Sequence, residues 1–253
     1  MSIQRPFLPG LSGLSGMGLP VAGGDFWDDY TTGLVARYDA SDATNLIVAN
    51  SKVSQATDLS GNSRHAVQAD STLQPDLVTV TGSLTGIQGN FASDPFKRLL
   101  VAGSLAIDGP HVIFAVIKVP EGTALRYLCG PTYSRLGISN TNDRRRMQAT
   151  STNEADPAYA ANTLEIWYAT FNVTGGNVGT MYVNGTLRLN ATVGAVNQDT
   201  SIVLLAGSTG GSSPTDGILG EYVRWNQLLS TADANAIGEY LADKWGLTWT
   251  PIS

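Results

Sequence analysis

Residues 216–247 read DGILGEYVRWNQLLSTADANAIGEYLADKWGL, and this segment contains the change of pattern that decides the fold. The chain before residue 226 shows the two-residue period of β-strands, whereas the chain after it shows the period of a helix. One face of that helix is formed by Ile237, Tyr240, Leu241 and Trp245. Ser230 with Asp233 is a capping signal, and Gly246 is a typical residue just after a helix end. We therefore predict one α-helix over Ser230–Trp245.

The rest of the chain consists of short apolar runs separated by clusters of Gly, Asn, Ser and Thr. The pair Asn184-Gly185 stands between MYV and TLRL, and Asn-Gly flanked by alternating hydrophobic residues is a strong hairpin signal. Strands are predicted at Leu34–Tyr38, His111–Val119, Leu164–Phe171, Thr180–Val183, Thr186–Leu189 and Ile202–Ala206. Only 14% of the residues are charged, against roughly 25% in an average soluble domain. The sequence predicts an all-β antiparallel fold with a single C-terminal helix.

Composition excludes several classes of function. The chain has a net charge of −6, whereas electrostatic binding of nucleic acid over a broad surface requires a basic face. A lone cysteine, Cys129, excludes an internal disulfide, and two histidines leave little for a metal centre, so we predict no metal site built from these residues. No apolar run approaches the roughly 18 residues of a membrane-spanning helix. The N-terminus lacks the continuous apolar core of a signal peptide, so we expect neither secretion nor membrane insertion.

Three segments carry a resemblance to a known family. They are GLVARYDASDATNL with DLSGNSRHAVQ (33–46 and 58–68), LEIWYATFN with TMYVNGTL (164–172 and 180–187), and the segment 216–247. In this order they resemble the laminin-G-like, concanavalin-A-like jelly rolls of bacteriophage virion and bacterial surface proteins, although Ala56 stands where a Trp is usual. The resemblance implies two curved antiparallel sheets face to face over residues 25–253. It implies no single activity, because this fold hosts lectins, hydrolases and structural parts.

Residues 1–24 form a segment of a different kind. They contain six Gly and three Pro, which exclude a helix or a central strand, yet they also carry regularly spaced apolar residues. We predict an extended docking arm that binds a partner protein or a second copy of the chain, with a flexible tail as the alternative. The predicted docking residues are Phe7, Leu8, Leu11, Leu14, Met17, Leu19, Phe26 and Trp27. The aromatic residues of DFWDDY (25–30) either anchor the arm or stack on a sugar.

No catalytic residue is predicted. Glycoside hydrolysis needs two carboxylates at a defined separation, and the resemblance implies that hydrolases of this fold carry Glu-x-Asp-x-x-Glu on one strand. That motif does not occur in the chain. Glu165 lies in a predicted strand with Trp167 as its neighbour on the same face, and neither Glu165 nor Glu221 is expected to have a partner for acid–base work. A nucleophile elbow, Gly-x-Ser-x-Gly, is also absent.

The densest polar cluster is a candidate contact site for a ligand or a partner. It consists of Asn142, Asp143, Arg144, Arg145 and Arg146, and arginines bind carboxylate or phosphate groups in a bidentate manner. The alternative is a solvated rim of the domain. His65 is predicted to form a turn hydrogen bond, and His111 and Cys129 to have packing roles.

Calcium is the one cofactor that the resemblance allows. Its oxygen ligands would come from residues near predicted turns, namely Asp58, Asn62, Asp199 and Asp216. Turn formation by these residues is the alternative that we favour, so no cofactor is predicted.

These observations predict a non-enzymatic bacteriophage virion protein. The arm would anchor it to the particle, and the jelly roll would be exposed as a head decoration or as a tail or fibre component. Expected partners are other virion proteins or further copies of the chain, with host-surface glycans as candidate ligands. The expected location is the virion, after synthesis in the host bacterial cytoplasm. The alternatives are a free carbohydrate-binding module and a glycoside hydrolase of the same fold.

Overall fold

The computed structural model describes residues 25–90, 97–101, 109–118, 126–131, 134–138, 144–148, 153–158, 161–172, 178–193, 201–206 and 215–253. The chain divides into two compact units, Met1–Thr32 and Gly33–Ser253. Residues 1–24, which include the predicted arm residues from Phe7 to Leu19, lie outside the described part. The arm and its predicted boundary at residue 25 stay predictions.

The described residues of the second unit form seventeen strands and one α-helix. The strands are β1 (Leu34–Asp39), β2 (Leu46–Ala49), β3 (Lys52–Ala56), β4 (Ala66–Val67), β5 (Asp76–Thr81), β6 (Leu84–Gln88), β7 (Leu99–Val101), β8 (His111–Lys118), β9 (Arg126–Pro131), β10 (Arg135–Ile138), β11 (Arg144–Gln148), β12 (Asn153–Ala158), β13 (Leu164–Asn172), β14 (Val178–Val183), β15 (Thr186–Thr192), β16 (Ile202–Leu204) and β17 (Ile218–Trp225). The helix α1 spans Thr231–Trp245.

The strand pairings, all antiparallel, follow two rows. In the first sheet β17 pairs with β1 and β6 along one side and with β8 along the other, and β13, β14 and β15 follow β8. In the second sheet the order is β2, β3, β4, β7, β16, β9, β10, β11, β12. The β5–β6 hairpin links the two sheets, because β5 also pairs with β3. The predicted antiparallel β-sandwich with one C-terminal helix is confirmed.

The core lies between the two sheets, and a second apolar layer lies under the helix. In β8 the residues Ile113, Ala115 and Ile117 belong to the main core, and the alternate residues Val112, Phe114 and Val116 are buried as well. A strand that is buried on both faces needs a cover on each side. The segment after α1 provides part of that cover, since the Phe114 ring lies 6.1 Å from that of Trp249.

The helix ends are those that the sequence predicts. The Ser230 side chain accepts a hydrogen bond from the backbone N–H of Asp233, and Gly246 is left-handed, with φ of +67°. The buried face carries Ala234, Ile237, Gly238, Leu241, Ala242 and Trp245. Glycine is required at Gly220 on β17, where a Cβ atom would come within 2.4 Å of the Trp245 ring. Trp245 therefore seats the end of α1 directly on the backbone of the sheet.

The hairpin predicted at Asn184-Gly185 is present between β14 and β15. Both residues have positive φ, +50° and +79°, as the two central positions of a type I′ turn require.

Of the first unit, the described part contains a short 3₁₀ helix, Phe26–Tyr30. Asp25 caps it, since its side chain accepts a hydrogen bond from the backbone N–H of Trp27. The Asp28 side chain accepts a hydrogen bond from the backbone N–H of Asp25. Phe26 packs edge-to-face on Trp27 at 5.3 Å between ring centroids. Trp27 is 3% exposed. The predicted docking role of Phe26 and Trp27 stays a prediction.

Candidate functional site

A cleft of about 420 Å³ lies where β11, β13 and the β14–β15 turn meet the segment that follows α1. We call it the end cleft. Its lining residues are Arg145, Glu165, Val183, Asn184, Thr186, Arg188, Gly246, Leu247, Thr248 and Thr250. Most of these side chains are polar, and they come from both sheets and from the C-terminal segment.

A buried ion pair forms one wall of the end cleft. Arg145 of β11 donates from Nε to Glu165 Oε2 at 2.9 Å and from Nη2 to Glu165 Oε1 at 2.5 Å. Alternation along β11 places Arg145 on the same face as Met147, which belongs to the core, so the guanidinium reaches across from the second sheet to Glu165 on the first. The side chains are only 6% and 7% exposed. The pair therefore fixes the two sheets to each other at this end of the sandwich.

The Glu165 carboxylate has two further donors. Trp167 donates from Nε1 to Oε2 at 2.7 Å, and Thr163 donates from its hydroxyl to Oε1 at 3.2 Å. Four donors fill the acceptor positions of one carboxylate. Neighbours within the fold therefore engage the Glu165 carboxylate, and little acceptor capacity is left for a ligand. The sequence alone does not indicate the arginine partner of Glu165, and the expectation that Glu165 has no partner for acid–base work stays a prediction.

The floor of the end cleft is the Asn184-Gly185 turn. Asn184 Oδ1 accepts the backbone N–H of Ile166 at 2.8 Å, and its backbone oxygen accepts the N–H of Thr250 at 3.0 Å. A Cβ atom on Gly185 would lie 1.7 Å from the Thr250 oxygen, so only glycine lets the C-terminal segment approach so closely. The turn thus positions Thr248 and Thr250 beside the two sheets.

Arg188 reaches the end cleft because of an irregularity in β15. Met181 is paired with Leu189 and Tyr182 with Leu187, so Arg188 is the extra residue of a β-bulge. Bulges redirect a side chain and are frequent beside functional sites. Arg188 is exposed and makes no ion pair with any residue in the described ranges. It is the charged group of the cleft that is accessible to a ligand.

The predicted polar cluster lies only partly within the described residues. Asn142 and Asp143 lie outside the described residues, as does the side chain of Arg144. Arg145 faces inward to Glu165, and the strand period puts Arg146 on the opposite face of β11. Arg145 and Arg146 therefore do not act together, and the ligand or partner contact predicted for the whole cluster stays a prediction.

Two of the residues considered for calcium, Asp58 and Asn62, shape turns, whereas Asp216 accepts a hydrogen bond from Gln88 Nε2 through its backbone oxygen at 3.1 Å. Asp58 accepts the backbone N–H groups of Arg37, Ser60 and Arg64, and Asn62 Nδ2 donates to the Leu34 and Val35 oxygens. Asp199 lies outside the described part. Among described residues, no group of three or more His, Cys, Asp and Glu is arranged to hold a metal ion.

The histidines and the cysteine take structural positions. His65 Nδ1 accepts the backbone N–H of Asp58, the turn hydrogen bond that the sequence predicts. His111 is buried and stacks on Phe171 at 4.8 Å, and burial, followed by the charge of Arg224, lowers the pKa of His111 well below its ordinary value. Burial raises the pKa of the Cys129 thiol, so it stays protonated and apolar in character.

A second charged cluster lies between β1, β17 and α1. Asp39 and Glu221 are directly opposite in the β1–β17 register, and Lys244 of α1 donates to both carboxylates at 2.7 Å. Burial, and then the charge of Asp39, raise the pKa of Glu221. Burial alone would lower the pKa of Lys244, but Glu221 and Asp39 outweigh it and raise that pKa. Glu221 thus has a carboxylate neighbour on another strand, which the spacing along its own strand does not indicate. The expectation that Glu221 has no partner for acid–base work stays a prediction.

Carboxylates also stand two positions apart on β12, at Glu154 and Asp156, although the third acid of Glu-x-Asp-x-x-Glu does not follow them. Their side chains lie outside the described part.

No described helix is long and apolar enough to cross a membrane.

Comparisons with known proteins show the fold. No protein-family model and no curated protein matches the chain. Among solved structures, a botulinum neurotoxin type C structure, described by cell entry that depends on two ganglioside molecules, matches at 12% identity with a TM-score of 0.60 over 85% of this chain and 53% of that chain. A Trypanosoma rangeli sialidase in complex with sialic acid matches at 14% identity with a TM-score of 0.59, over 86% of this chain and 34% of that chain.

The binding domain of botulinum neurotoxin DC, in complex with rat synaptotagmin II, matches at 13% identity with a TM-score of 0.56, over 83% of this chain and 52% of that chain. The chain thus spans about half the length of the neurotoxin chains and a third of the sialidase chain. These similarities establish the β-sandwich, and none of them is to a bacteriophage protein.

Proposed function

We propose that the protein is a non-enzymatic carbohydrate-binding β-sandwich and that the end cleft is its binding site. The observation that carries this proposal is the convergence of fixed polar side chains on an open cleft of about 420 Å³. Ligand sites in proteins are concave, have a few hundred Å³ of volume, and use a small number of placed polar groups to orient the ligand.

The groups that line the end cleft suit a sugar because they are already held in place. Glu165 holds Arg145, and the Ile166 backbone holds Asn184, so little side-chain freedom is lost when a ligand binds. The hydroxyls of Thr186, Thr248 and Thr250 both donate and accept, as the hydroxyls of a sugar do. The structural neighbours support the proposal by analogy of fold, since their descriptions name gangliosides and sialic acid.

The non-enzymatic part of the proposal rests on the described carboxylates. Glu165 is saturated by four donors, and Asp39 and Glu221 are held under α1 by Lys244, with side chains 9% and 1% exposed. A glycosidase needs two carboxylates that flank an accessible bond. No such pair lines the end cleft within the part of the chain that the structure describes.

The finer proposal concerns the setting of this domain. Residues 1–24 combine apolar residues with six Gly and three Pro, a composition that disfavours a helix or a central strand and so supports a docking arm that attaches the sandwich to a larger assembly. We propose a virion of a bacteriophage as that assembly, with the sandwich as a head decoration or a tail or fibre component that contacts host-surface glycans. The motifs at 33–46, 58–68 and 216–247 support this setting.

The test is to fill the end cleft and measure glycan binding. Thr248→Trp places a large ring in the cleft, whereas Thr79→Trp makes the same change at an exposed position of β5 that does not line it. We expect a glycan array to identify a ligand, and titration calorimetry to show binding lost in Thr248→Trp and kept in Thr79→Trp. Equal binding by both variants, or no glycan bound at all, would contradict the proposal.

The enzymatic alternative is tested on the same ligand. After long incubation we expect chromatography to recover the glycan intact. Hydrolysis that is lost in Glu154→Gln would show that the protein is a glycosidase and that its catalytic strand is β12.

A further inference from the structure

We infer that the end cleft selects sugars that carry a carboxylate group, and that Arg188 binds this carboxylate. The inference rests on the proposed carbohydrate-binding function and names the chemical class of its ligand. It follows from which hydrogen-bonding groups of the cleft are already engaged and which are left for a ligand.

The acceptors of the end cleft are largely engaged. Among the described residues that line the cleft, the one carboxylate is Glu165, which accepts from Arg145 twice and from Thr163 and Trp167 once each. The side-chain oxygen of Asn184 accepts the Ile166 N–H. A ligand therefore finds few side-chain acceptors, apart from the threonine hydroxyls.

The donors are available. The Nδ2 group of Asn184 donates to no residue in the described ranges, and the Arg188 guanidinium is likewise uncommitted within them. Arg188 presents a planar fork of N–H groups, which matches the two oxygens of a carboxylate better than a single hydroxyl. A site whose remaining capacity is mostly donors favours a ligand that supplies acceptors.

The charge of the end cleft also favours a ligand that carries negative charge. Among the described residues that line the cleft, the charged side chains are Arg145, Glu165 and Arg188. The first two form an ion pair, so Arg188 leaves one net positive charge in this set. The C-terminal end of α1, at Gly246 and Leu247, contributes about half a negative charge, which the full charge of Arg188 exceeds. The described lining residues of the cleft thus carry net positive charge, in a chain whose net charge is −6.

The β-bulge at Arg188 is the structural device that gives this specificity. In a regular ladder every residue of β15 would have its own partner on β14, and the extra residue exists only because Tyr182 pairs with Leu187 and Met181 with Leu189. The bulge brings the Arg188 guanidinium to the cleft, beside the Arg145–Glu165 ion pair, whose two charges cancel. The expected ligands are glycans with a uronic acid or a sialic acid residue.

The experiment uses the full chain and matched pairs of sugars. The pairs are 3′-sialyllactose with lactose, and trigalacturonic acid with its methyl ester, together with a sulfated lactose. We expect the carboxylated member to bind at least tenfold more tightly, and Arg188→Gln to weaken it about ten- to a hundredfold without changing the neutral member. Lys52→Gln changes the net charge equally, far along the second sheet, and should leave both affinities unchanged.

Each outcome decides one point. Arg188→Lys, which keeps the charge but not the fork, should recover only part of the preference. Equal affinity for the acidic and neutral members would overturn the inference and leave the carbohydrate-binding function intact. Equal affinity for the sulfated sugar would overturn the assignment to a carboxylate. Binding of no sugar by the wild-type chain would overturn both proposals.

Discussion

Replacing Lys244 by Met tests whether the charged cluster holds α1 on the first sheet. The Lys244 Nζ atom lies 2.7 Å from Asp39 Oδ2 and 2.7 Å from Glu221 Oε2, and its side chain is 17% exposed. Methionine keeps most of the apolar stem but removes the charge, so two opposed carboxylates stay buried together. Removal of one partner from a buried ion pair costs about 3–5 kcal/mol. A typical domain is stable by about 5–15 kcal/mol, so the loss is large.

The assay is urea unfolding followed by tryptophan fluorescence, with thermal unfolding by calorimetry as a second measurement. For a domain of this size each kcal/mol corresponds to about 2–4 °C, so the melting temperature should fall by roughly 6–20 °C. Lys118→Met is the matched control, because Lys118 ends β8 and makes no ion pair within the described ranges. It should change the free energy of unfolding by less than about 0.5 kcal/mol.

A double variant separates the ion pair from simple packing. In Lys244→Met, Arg37 alone among the described cations faces both carboxylates, at 3.9 Å from Asp39 and 3.8 Å from Glu221. If the excess of negative charge causes the loss, Glu221→Gln in this background should restore part of it, because only Asp39 then remains charged beside Arg37. A loss of less than about 1 kcal/mol in Lys244→Met would refute the reasoning. So would a double variant that is less stable than Lys244→Met alone.

Three further predictions follow from the same structure. Because the pKa of Lys244 is raised in the folded state, its contribution to stability is complete below the ordinary lysine pKa and is lost as the pH rises through the pKa of the folded state. The free energy of unfolding should therefore fall more steeply above about pH 10 in the wild type than in Lys244→Met. Parallel curves for the two proteins would contradict this. Gly185→Ala should destabilise the protein more than Gly61→Ala, because both residues have positive φ but only at Gly185 would the added Cβ meet the backbone of Thr250. The measurement is the difference between the urea midpoints of the two variants. Equal losses would show that the approach of Thr250 to Gly185 does not limit stability. Deletion of residues 1–24 should leave the circular dichroism and melting temperature of the sandwich unchanged while abolishing attachment to particles that lack the protein, and equal occupancy by both forms would move the attachment surface to the sandwich.

The sequence predicted those parts of the fold whose signals are local. Asn184-Gly185 requires positive φ at two successive positions, and few residue pairs other than Asn-Gly accept this. The cap at Ser230, the apolar period and Gly246 similarly lie within one helix. The strands β8 and β13 were predicted almost to their ends, because their residues are apolar on both faces.

The candidate site was not predictable in the same way, because its contacts join residues far apart in the chain. Arg145 was singled out for the run of arginines, but its role depends on Glu165 in the opposite sheet. Arg188 carries no signal at all, since a bulge depends on the register of two strands. Asp39 and Glu221 meet only through the β1–β17 pairing, which the spacing of carboxylates along one strand does not reveal.

The β1–β17 pairing also has a consequence for how the polypeptide is made. Leu34 pairs with Trp225, so the first strand of the sandwich leaves the ribosome long before its partner has been synthesised. At about 5–20 residues per second the interval is roughly 10–40 s, during which nascent β1 and β8 have unpaired edges and β8 has an uncovered face. Nascent chains halted within this interval should engage chaperones and be cut readily by protease. Resistance should appear only when the codons for α1 have been translated and the helix has cleared the exit tunnel.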